Sequence, residues 1–127
     1  MAKGVITLKG REKLCKAHAG AMVLPIISQM AFGDGGVDQN GTPLETTGNE
    51  VQLRSELLRK AIIGYAFEAE NTTCTYTARI DKAELADMAI SEMGLFDTEG
   101  DMVAYKTFAE KIKDDDMEFV FNMKEIF

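Results

Sequence analysis

The fold is decided by residues 90–105, whose sequence is ISEMGLFDTEGDMVAY. Apolar residues flank a short polar segment on both sides, which predicts two strands joined by a tight turn. Asp97 can bend its carboxylate back onto the backbone of the turn, and Gly100 supplies the positive φ that closes it. Because the segment holds neither a nucleophile–base pair nor a metal-ligand cluster, it predicts an architectural element.

The bulk composition is that of a soluble globular protein. The chain has 127 residues, of which 46% are hydrophobic and 28% charged. These values indicate a single domain over residues 1–127. No apolar run approaches the ~20 residues that a membrane helix needs, and residues 1–5 begin no signal peptide. We therefore expect synthesis in the cytoplasm and no membrane contact.

The charge pattern argues against nucleic acid as a partner. The net charge is −7, whereas phosphate binding is driven by clustered Lys and Arg. Basic residues do cluster between Lys9 and Lys16, but they recur at helical spacing among apolar residues. A solvated helix face is therefore favoured over a phosphate-binding patch.

A helix is predicted over residues 8–19, with Thr7 as its N-cap and Gly20 at its C-terminal end. A narrow stripe of small and apolar residues predicts that the helix lies close to a sheet, with the basic residues on its opposite side. Gly10 belongs to this stripe. Because Gly lowers helix propensity by about 1 kcal/mol relative to Ala, close packing at Gly10 is the expected compensation.

Apolar alternation predicts further strands over residues 22–32, 57–68, 73–80 and 117–127. Pro25 cannot donate to a ladder, so the first of these should be an edge strand or begin just after it. One or two helical turns are expected within residues 50–55, and a charged connection over residues 107–116. The predicted fold class is α+β, with the N-terminal helix packed on a mainly antiparallel sheet of about five or six strands and the 90–105 hairpin at its centre.

A polar loop rich in glycine follows the first long strand, over residues 33–48. Its glycines could be interpreted as a phosphate cradle, but such a cradle enters a helix and carries a Lys-Ser/Thr pair or a third spaced glycine. None of these is present, so a turn is favoured. The length of the loop makes it a candidate contact surface. It is also where a small-molecule-binding or hydrolytic site would lie, if the protein had one.

Other candidate chemistry is weak. Reduced thiols are favoured over a disulfide or metal site at Cys15 and Cys74, and His18 is favoured as a surface or capping residue. Residues 97–101 resemble a calcium loop but lack its bidentate Glu and flanking helices. Residues 114–116 are a like-charge run. A general acid–base pair stays open among four carboxylates without fixed spacing, namely Glu56, Glu68, Glu84 and Glu92.

The central hairpin resembles a known family signature. Residues 92–104, EMGLFDTEGDMVA, are similar to the E-x-G-L-F-D-x-x-G-x-L-V-A motif of the phage tail-collar fibre family. Thr7 and Gly10 match an early T-x-x-G, and residues 31–35, AFGDG, match A-x-G-D-G. Residues 55–59, SELLR, resemble the N-E-x-x-R segment with Ser in place of Asn. The resemblance covers nearly the whole chain in the expected order.

The resemblance implies a structural part of a phage or phage-derived tail, at the fibre or baseplate, made in the host cytoplasm and bridging other tail proteins. It also implies a homo-oligomer, either a trimer or a ring, and neither enzymatic activity nor a cofactor or metal. Family members usually continue into a shaft and a receptor-binding tip, so a chain ending at residue 127 is expected to carry only the attachment module. The motif positions are expected to be fold-forming, and they are Gly33, Asp34, Gly35, Gly94, Leu95, Phe96, Asp97 and Gly100.

Overall fold

The computed structural model describes residues 3–127, so residues 1–2 of the predicted domain lie outside the described part. Within it the chain forms one helix, α1, and eight strands in two antiparallel sheets. The elements follow in chain order: β1 Lys3–Ile6, α1 Leu8–His18, β2 Ile27–Gly33, β3 Glu56–Ala61, β4 Gly64–Glu68, β5 Thr73–Ile80, β6 Met88–Asp97, β7 Met102–Lys113 and β8 Phe119–Ile126.

The first sheet has five strands in the order β1-β7-β6-β2-β3. Strands β6 and β7 form the predicted hairpin, and β6 is the central strand of the sheet. One carboxylate oxygen of Asp97 accepts hydrogen bonds from the backbone N–H groups of Glu99 at 3.0 Å and Asp101 at 3.1 Å. Gly100 has a φ of +85°, a conformation that Gly adopts at no steric cost. The predicted turn chemistry is therefore confirmed.

The second sheet has three strands in the order β4-β5-β8. Strand β5 matches the predicted strand over residues 73–80. The predicted sheet of about five or six strands is roughly right for the first sheet, which has five strands. The separate second sheet was not predicted, and the helix is a minor part of the fold. The mainly antiparallel character is confirmed.

The strand predicted over residues 57–68 is two strands in different sheets. Strand β3 pairs with β2 in the first sheet, and after Ile62 and Ile63 the chain enters β4, which pairs with β5 in the second. Apolar alternation continues through the crossing. Alternation reports which side of a strand faces a core, and it carries no information on which sheet the strand joins.

Two other sequence predictions are wrong. Residues 50–55 are irregular rather than helical, because the N–H groups of Arg54 and Ser55 donate to a distant carboxylate on β6. Most of the charged connection predicted over residues 107–116 is instead the second half of β7, which ends at Lys113 and whose last three residues pair with Met88–Ile90. Residues 114–116 follow the strand, as a connection. Glu110 and Lys111 are exposed on this paired strand, a pattern that composition alone does not distinguish from a loop. Lys113 is fully buried and donates to the carbonyl oxygens of Lys82 and Asp114.

The sequence offered two alternatives for Pro25: an edge strand, or a strand that begins just after the proline. The second is confirmed, because β2 begins at Ile27, two residues after Pro25. It is an inner strand between β6 and β3. Because Pro25 lies outside the ladder, its missing N–H removes no inter-strand hydrogen bond.

The beginning of α1 follows the prediction. The hydroxyl of Thr7 accepts a hydrogen bond from the N–H of Gly10 at 3.1 Å and donates one to the carbonyl of Met102 at 2.7 Å. A side chain at Gly10 would place its Cβ 2.6 Å from the carbonyl oxygen of Val103. Close packing of α1 on β7 therefore explains a glycine inside a helix.

The main core lies between the two sheets. It contains buried apolar side chains from β2, β6 and β7 of the first sheet and from β5 and β8 of the second. A smaller cluster contains Ala31, Leu53, Phe96, Met102 and Tyr105. Leu53 belongs to the 34–55 segment, so this segment covers part of the first sheet. Within residues 3–127, no helix has the length and apolar character needed to span a membrane.

Candidate functional site

The most highly connected polar group described is the carboxylate of Glu92 on β6. Its side chain is fully buried. One oxygen accepts hydrogen bonds from the N–H groups of Gly35 and Ser55, each at 2.8 Å. The other accepts from the N–H of Arg54 at 2.8 Å and the hydroxyl of Tyr105 at 2.7 Å. We call these five residues the Glu92 cluster.

The Glu92 cluster balances the burial of a carboxylate with four donors. Hydrogen bonds to an ionised group are about twice as strong as neutral ones, and a buried carboxylate without donors would be very costly. Burial, and then the hydrogen bond to Glu92, raises the pKa of Tyr105. The cluster thus encloses a carboxyl group and a phenol, both of them fully buried.

The polar loop is attached to the first sheet at further points. The N–H of Gly36 donates to the hydroxyl of Ser91 at 2.9 Å, and the hydroxyl of Thr107 donates to the carbonyl of Leu44 at 2.6 Å. The glycine amides that a phosphate cradle would require, at Gly35 and Gly36, are therefore already bound to β6. At the tip of the loop, Asp38 accepts two backbone hydrogen bonds and is exposed.

A second buried charge lies where α1 meets the hairpin turn. The ammonium group of Lys13 contacts Asp97 at 2.6 Å, Glu99 at 2.7 Å and Asp101 at 2.8 Å. Burial alone lowers the pKa of Lys13, but hydrogen bonds to Asp101, Asp97 and Glu99 outweigh it, so the net shift is upward. We call these four residues the Lys13 cluster.

The Lys13 cluster corrects one sequence prediction and explains another. Lys13 was placed on a solvated basic face, yet it is buried. Its three partners are the carboxylates of the calcium-like loop, and their oxygens lie within 4.8 Å of one another. An ammonium group bound to all three carboxylates takes the position that a cation would need, so the geometry favours an ion cluster within the protein.

An open groove lies between α1, the segment before β2 and the second sheet. Its volume is about 440 Å³. Its exposed apolar side chains include Ile26, with 72% of its surface accessible, and Phe67, with 60%. We call it the apolar groove, and its lining also includes Leu24, Tyr65, Tyr76, Phe127, Lys13, Asp97 and Glu125. No residue of the 33–48 loop lines it.

Comparison with known families decides the identity of the chain. Residues 1–122 match the family model described as the N-terminal part of the phage tail-collar fibre protein. The chain belongs to this family. Comparisons with curated proteins and with solved structures found no match. Membership gives the chain a structural role in a phage tail and makes it a virion tail component.

The tail-collar fibre motifs converge in three dimensions. Glu92, the first residue of the hairpin motif, accepts hydrogen bonds from Gly35 of the A-x-G-D-G motif and from Ser55 of the N-E-x-x-R segment. The guanidinium of Arg59 stacks over the ring of Phe96, with its Cζ 3.8 Å from the ring centroid. Segments separated in sequence therefore meet around one strand.

The eight expected motif positions do not share one environment. Leu95 is buried in the main core and Phe96 in the smaller cluster, while Asp97 and Gly100 form the turn. Gly33 and Gly94 are buried, and Gly35 is half-buried beside Glu92. Asp34 differs from the others because its side chain is exposed, although its N–H donates to the carbonyl of Ser55 at 3.1 Å.

Three residues matter more in the structure than the sequence indicated. Glu92 was one of four candidate acid–base residues, Lys13 was grouped with surface lysines, and Glu125 was not singled out. A signal existed for Glu92, because a carboxylate inside an otherwise apolar strand needs donors from elsewhere. The cysteines were predicted correctly as free thiols, with Cys15 exposed and Cys74 buried.

Proposed function

We propose that this tail-collar fibre chain is an attachment module at the tail fibre or baseplate, bridging other tail proteins through protein–protein contacts. The apolar groove carries the proposal. Monomeric soluble proteins seldom expose large contiguous apolar patches, and such patches commonly mark interaction sites. Here exposed apolar residues come together from the segment before β2 and from β4.

A homo-oligomer, either a trimer or a ring, belongs to the same proposal. Strands β1 and β3 lie at the edges of the first sheet, and β4 and β8 at those of the second. Edge strands present unpaired backbone groups that can pair with another chain. Tail parts assemble with closed symmetry, which edge pairing between copies can supply.

We assign the motif residues a role in folding rather than in contact. The support is their placement around the Glu92 cluster, the hairpin turn and the two apolar clusters. Asp34 is the exception, because its exposed carboxylate has no recorded partner among residues 3–127. The alternative of a small-molecule or hydrolytic site in the 33–48 loop loses support because the loop amides at Gly35 and Gly36 are bound to β6.

The test is to image assembled particles by cryo-electron microscopy and to measure the mass of the purified chain by light scattering. We expect density for the chain at the fibre–baseplate junction, in contact with at least one other tail protein, and a mass of three or more copies. A chain located away from that junction would overturn the attachment role. A purified monomer would overturn the homo-oligomer.

A further inference from the structure

The apolar groove contains a carboxyl group that is largely buried and has one long hydrogen bond from a protein donor. Glu125 on β8 is 8% exposed and lines the groove. Among residues 3–127, its one recorded side-chain partner is the hydroxyl of Tyr76, at 3.5 Å. That distance lies beyond the usual O–H···O range of roughly 2.5–3.0 Å. Burial raises the pKa of Glu125, and the bond from Tyr76 offsets this only in part.

The cation that lines the groove is already bound elsewhere. Lys13 is the only Lys or Arg among the described lining residues, and its ammonium group contacts three carboxylates at 2.6–2.8 Å. It has no capacity left for Glu125. The groove therefore combines apolar walls with an excess of negative charge.

The walls suit a cation on an apolar segment. Tyr65 and Phe67 lie on β4 with their rings 5.5 Å apart in an edge-on arrangement, and both line the groove together with Phe127. Aromatic faces attract Lys and Arg, and they also cover the apolar stems of these side chains. The volume of about 440 Å³ is within the range of roughly 300–1,000 Å³ found for binding pockets.

We propose that the apolar groove binds an apolar peptide segment of another tail protein, and that a Lys or Arg side chain of this segment pairs with Glu125. The inference rests on the proposed bridging function and specifies its partner. Charge complementarity selects the occupant. The net charge of this chain is −7, which has the same sign as the excess charge of the groove, whereas a basic segment brings the opposite charge and a strong donor for Glu125.

The test uses the full chain and an acetylated, amidated pentapeptide, Leu-Val-Lys-Val-Leu, as the probe. Two matched peptides carry norleucine or Glu at the central position. We titrate each peptide and follow the backbone amide signals by NMR. We expect the lysine peptide to shift the signals of groove residues and to bind about tenfold more tightly than the norleucine peptide, with the glutamate peptide weakest.

Two variants distinguish the contribution of the Glu125 charge to peptide binding from that of the apolar groove walls. Glu125→Gln is expected to reduce the preference for lysine over norleucine to within about twofold and to leave norleucine binding unchanged. Phe67→Ser is expected to weaken both peptides at least about tenfold. Ile112→Ser is the control, because Ile112 is an exposed residue of β7 that does not line the groove, and its peptide affinities should equal those of the wild type.

Four results would overturn the inference. They are equal binding of the lysine and norleucine peptides, an unchanged preference in Glu125→Gln, the absence of any binding at millimolar peptide, and a Phe67→Ser variant that dissociates from oligomer to protomer in light scattering. The last result would assign the groove to a second copy. Incorporation into tails distinguishes the two proposals. If the wild-type chain is found at the fibre–baseplate junction but does not bind the peptides, the basic partner is rejected. The proposed bridging function is then still supported.

Discussion

The two sheets contain buried carboxyl groups with contrasting surroundings. Glu92, in the first sheet, accepts hydrogen bonds from four donors at 2.7–2.8 Å. Glu125, in the second sheet, has one recorded partner at 3.5 Å among residues 3–127. The contrast teaches that the chain satisfies its own buried charge where its loop covers the first sheet. Beside the apolar groove, the protein supplies Glu125 with a single long hydrogen bond.

The largest expected effect is at the Glu92 cluster. Glu92→Gln keeps the size of the side chain but replaces one acceptor oxygen with an amide NH₂ group. The two donors that bonded to this oxygen then lose their acceptor. Each unsatisfied buried donor costs about 1–3 kcal/mol, so we expect the free energy of unfolding to fall by about 3–4 kcal/mol. Urea denaturation measures this change.

The matched control is Glu12→Gln, which removes a carboxylate from a partly exposed surface pair with Lys16. Such solvent-exposed pairs contribute little to stability. If Glu92→Gln cost no more than Glu12→Gln, the Glu92 cluster would not be a stabilising element, and the contrast with Glu125 would disappear.

The Lys13 cluster should give the next effect. Lys13→Met leaves the buried carboxylate of Asp97 beside two like charges without a cation. Breaking a buried ion pair costs about 3–5 kcal/mol, and because Glu99 and Asp101 are exposed to water we expect the lower end, about 3 kcal/mol. Lys16→Met, at an exposed position of the same helix, should change stability by less than about 0.5 kcal/mol. Similar unfolding curves for the two variants would refute this assignment.

The same cluster predicts an alkaline pH dependence. The folded-state pKa of Lys13 is raised, so its contribution to stability is fully present below the unfolded value of about 10.4. It is lost as pH rises through the higher folded-state pKa. The difference in unfolding free energy between wild type and Lys13→Met should therefore stay constant up to about pH 10 and narrow above it. If this difference instead widened above about pH 10, the upward direction of the Lys13 pKa shift would be wrong.

Substitutions at two glycines test how tightly two regions are packed: Gly35, beside the Glu92 cluster, and Gly64, on β4 of the second sheet. A Cβ at Gly35 would lie 2.7 Å from the Cβ of Arg54 and 2.8 Å from a carboxylate oxygen of Glu92. At Gly64, at the start of β4, the same atom would meet nothing within 4 Å. Overpacking costs about 1–3 kcal/mol, so Gly35→Ala should lower the melting temperature and Gly64→Ala should leave it nearly unchanged. Equal shifts would show that the covered region tolerates expansion.

The smallest expected effect is at Glu125, where substitution should raise the free energy of unfolding, unlike the changes above that lower it. Burial raises the folded-state pKa of Glu125, so this carboxyl group makes folding less favourable above the unfolded value of about 4.3, and this cost vanishes below it. Glu125→Gln should therefore stabilise the chain in isolation at pH 7 by about 0.5–1 kcal/mol and have no effect at pH 4. Destabilisation at pH 7 would mean that Glu125 is satisfied without a partner.

Some parts of the candidate site could be predicted from the sequence. The motif residues, the turn at Asp97 and Gly100 and the cap at Thr7 all depend on residue types that act within a few positions of themselves. The partners of Glu92 could not be predicted, because Gly35, Arg54 and Ser55 reach it only when β2 and β3 align beside β6. Lys13 likewise has the spacing of a surface lysine, and its burial follows from the way α1 lies against the hairpin.

The sequence by itself determined the central hairpin, the start of α1, strand β5 and membership of the tail-collar fibre family. These features rest on local turn chemistry, capping, alternation and motif order. The tertiary structure alone decided that residues 57–68 divide between two sheets, that residues 50–55 give their N–H groups to Glu92, and that the apolar groove stays open. The physical reason is that each of these depends on donors, acceptors or apolar surfaces from distant segments, whose positions exist only after the strands have paired.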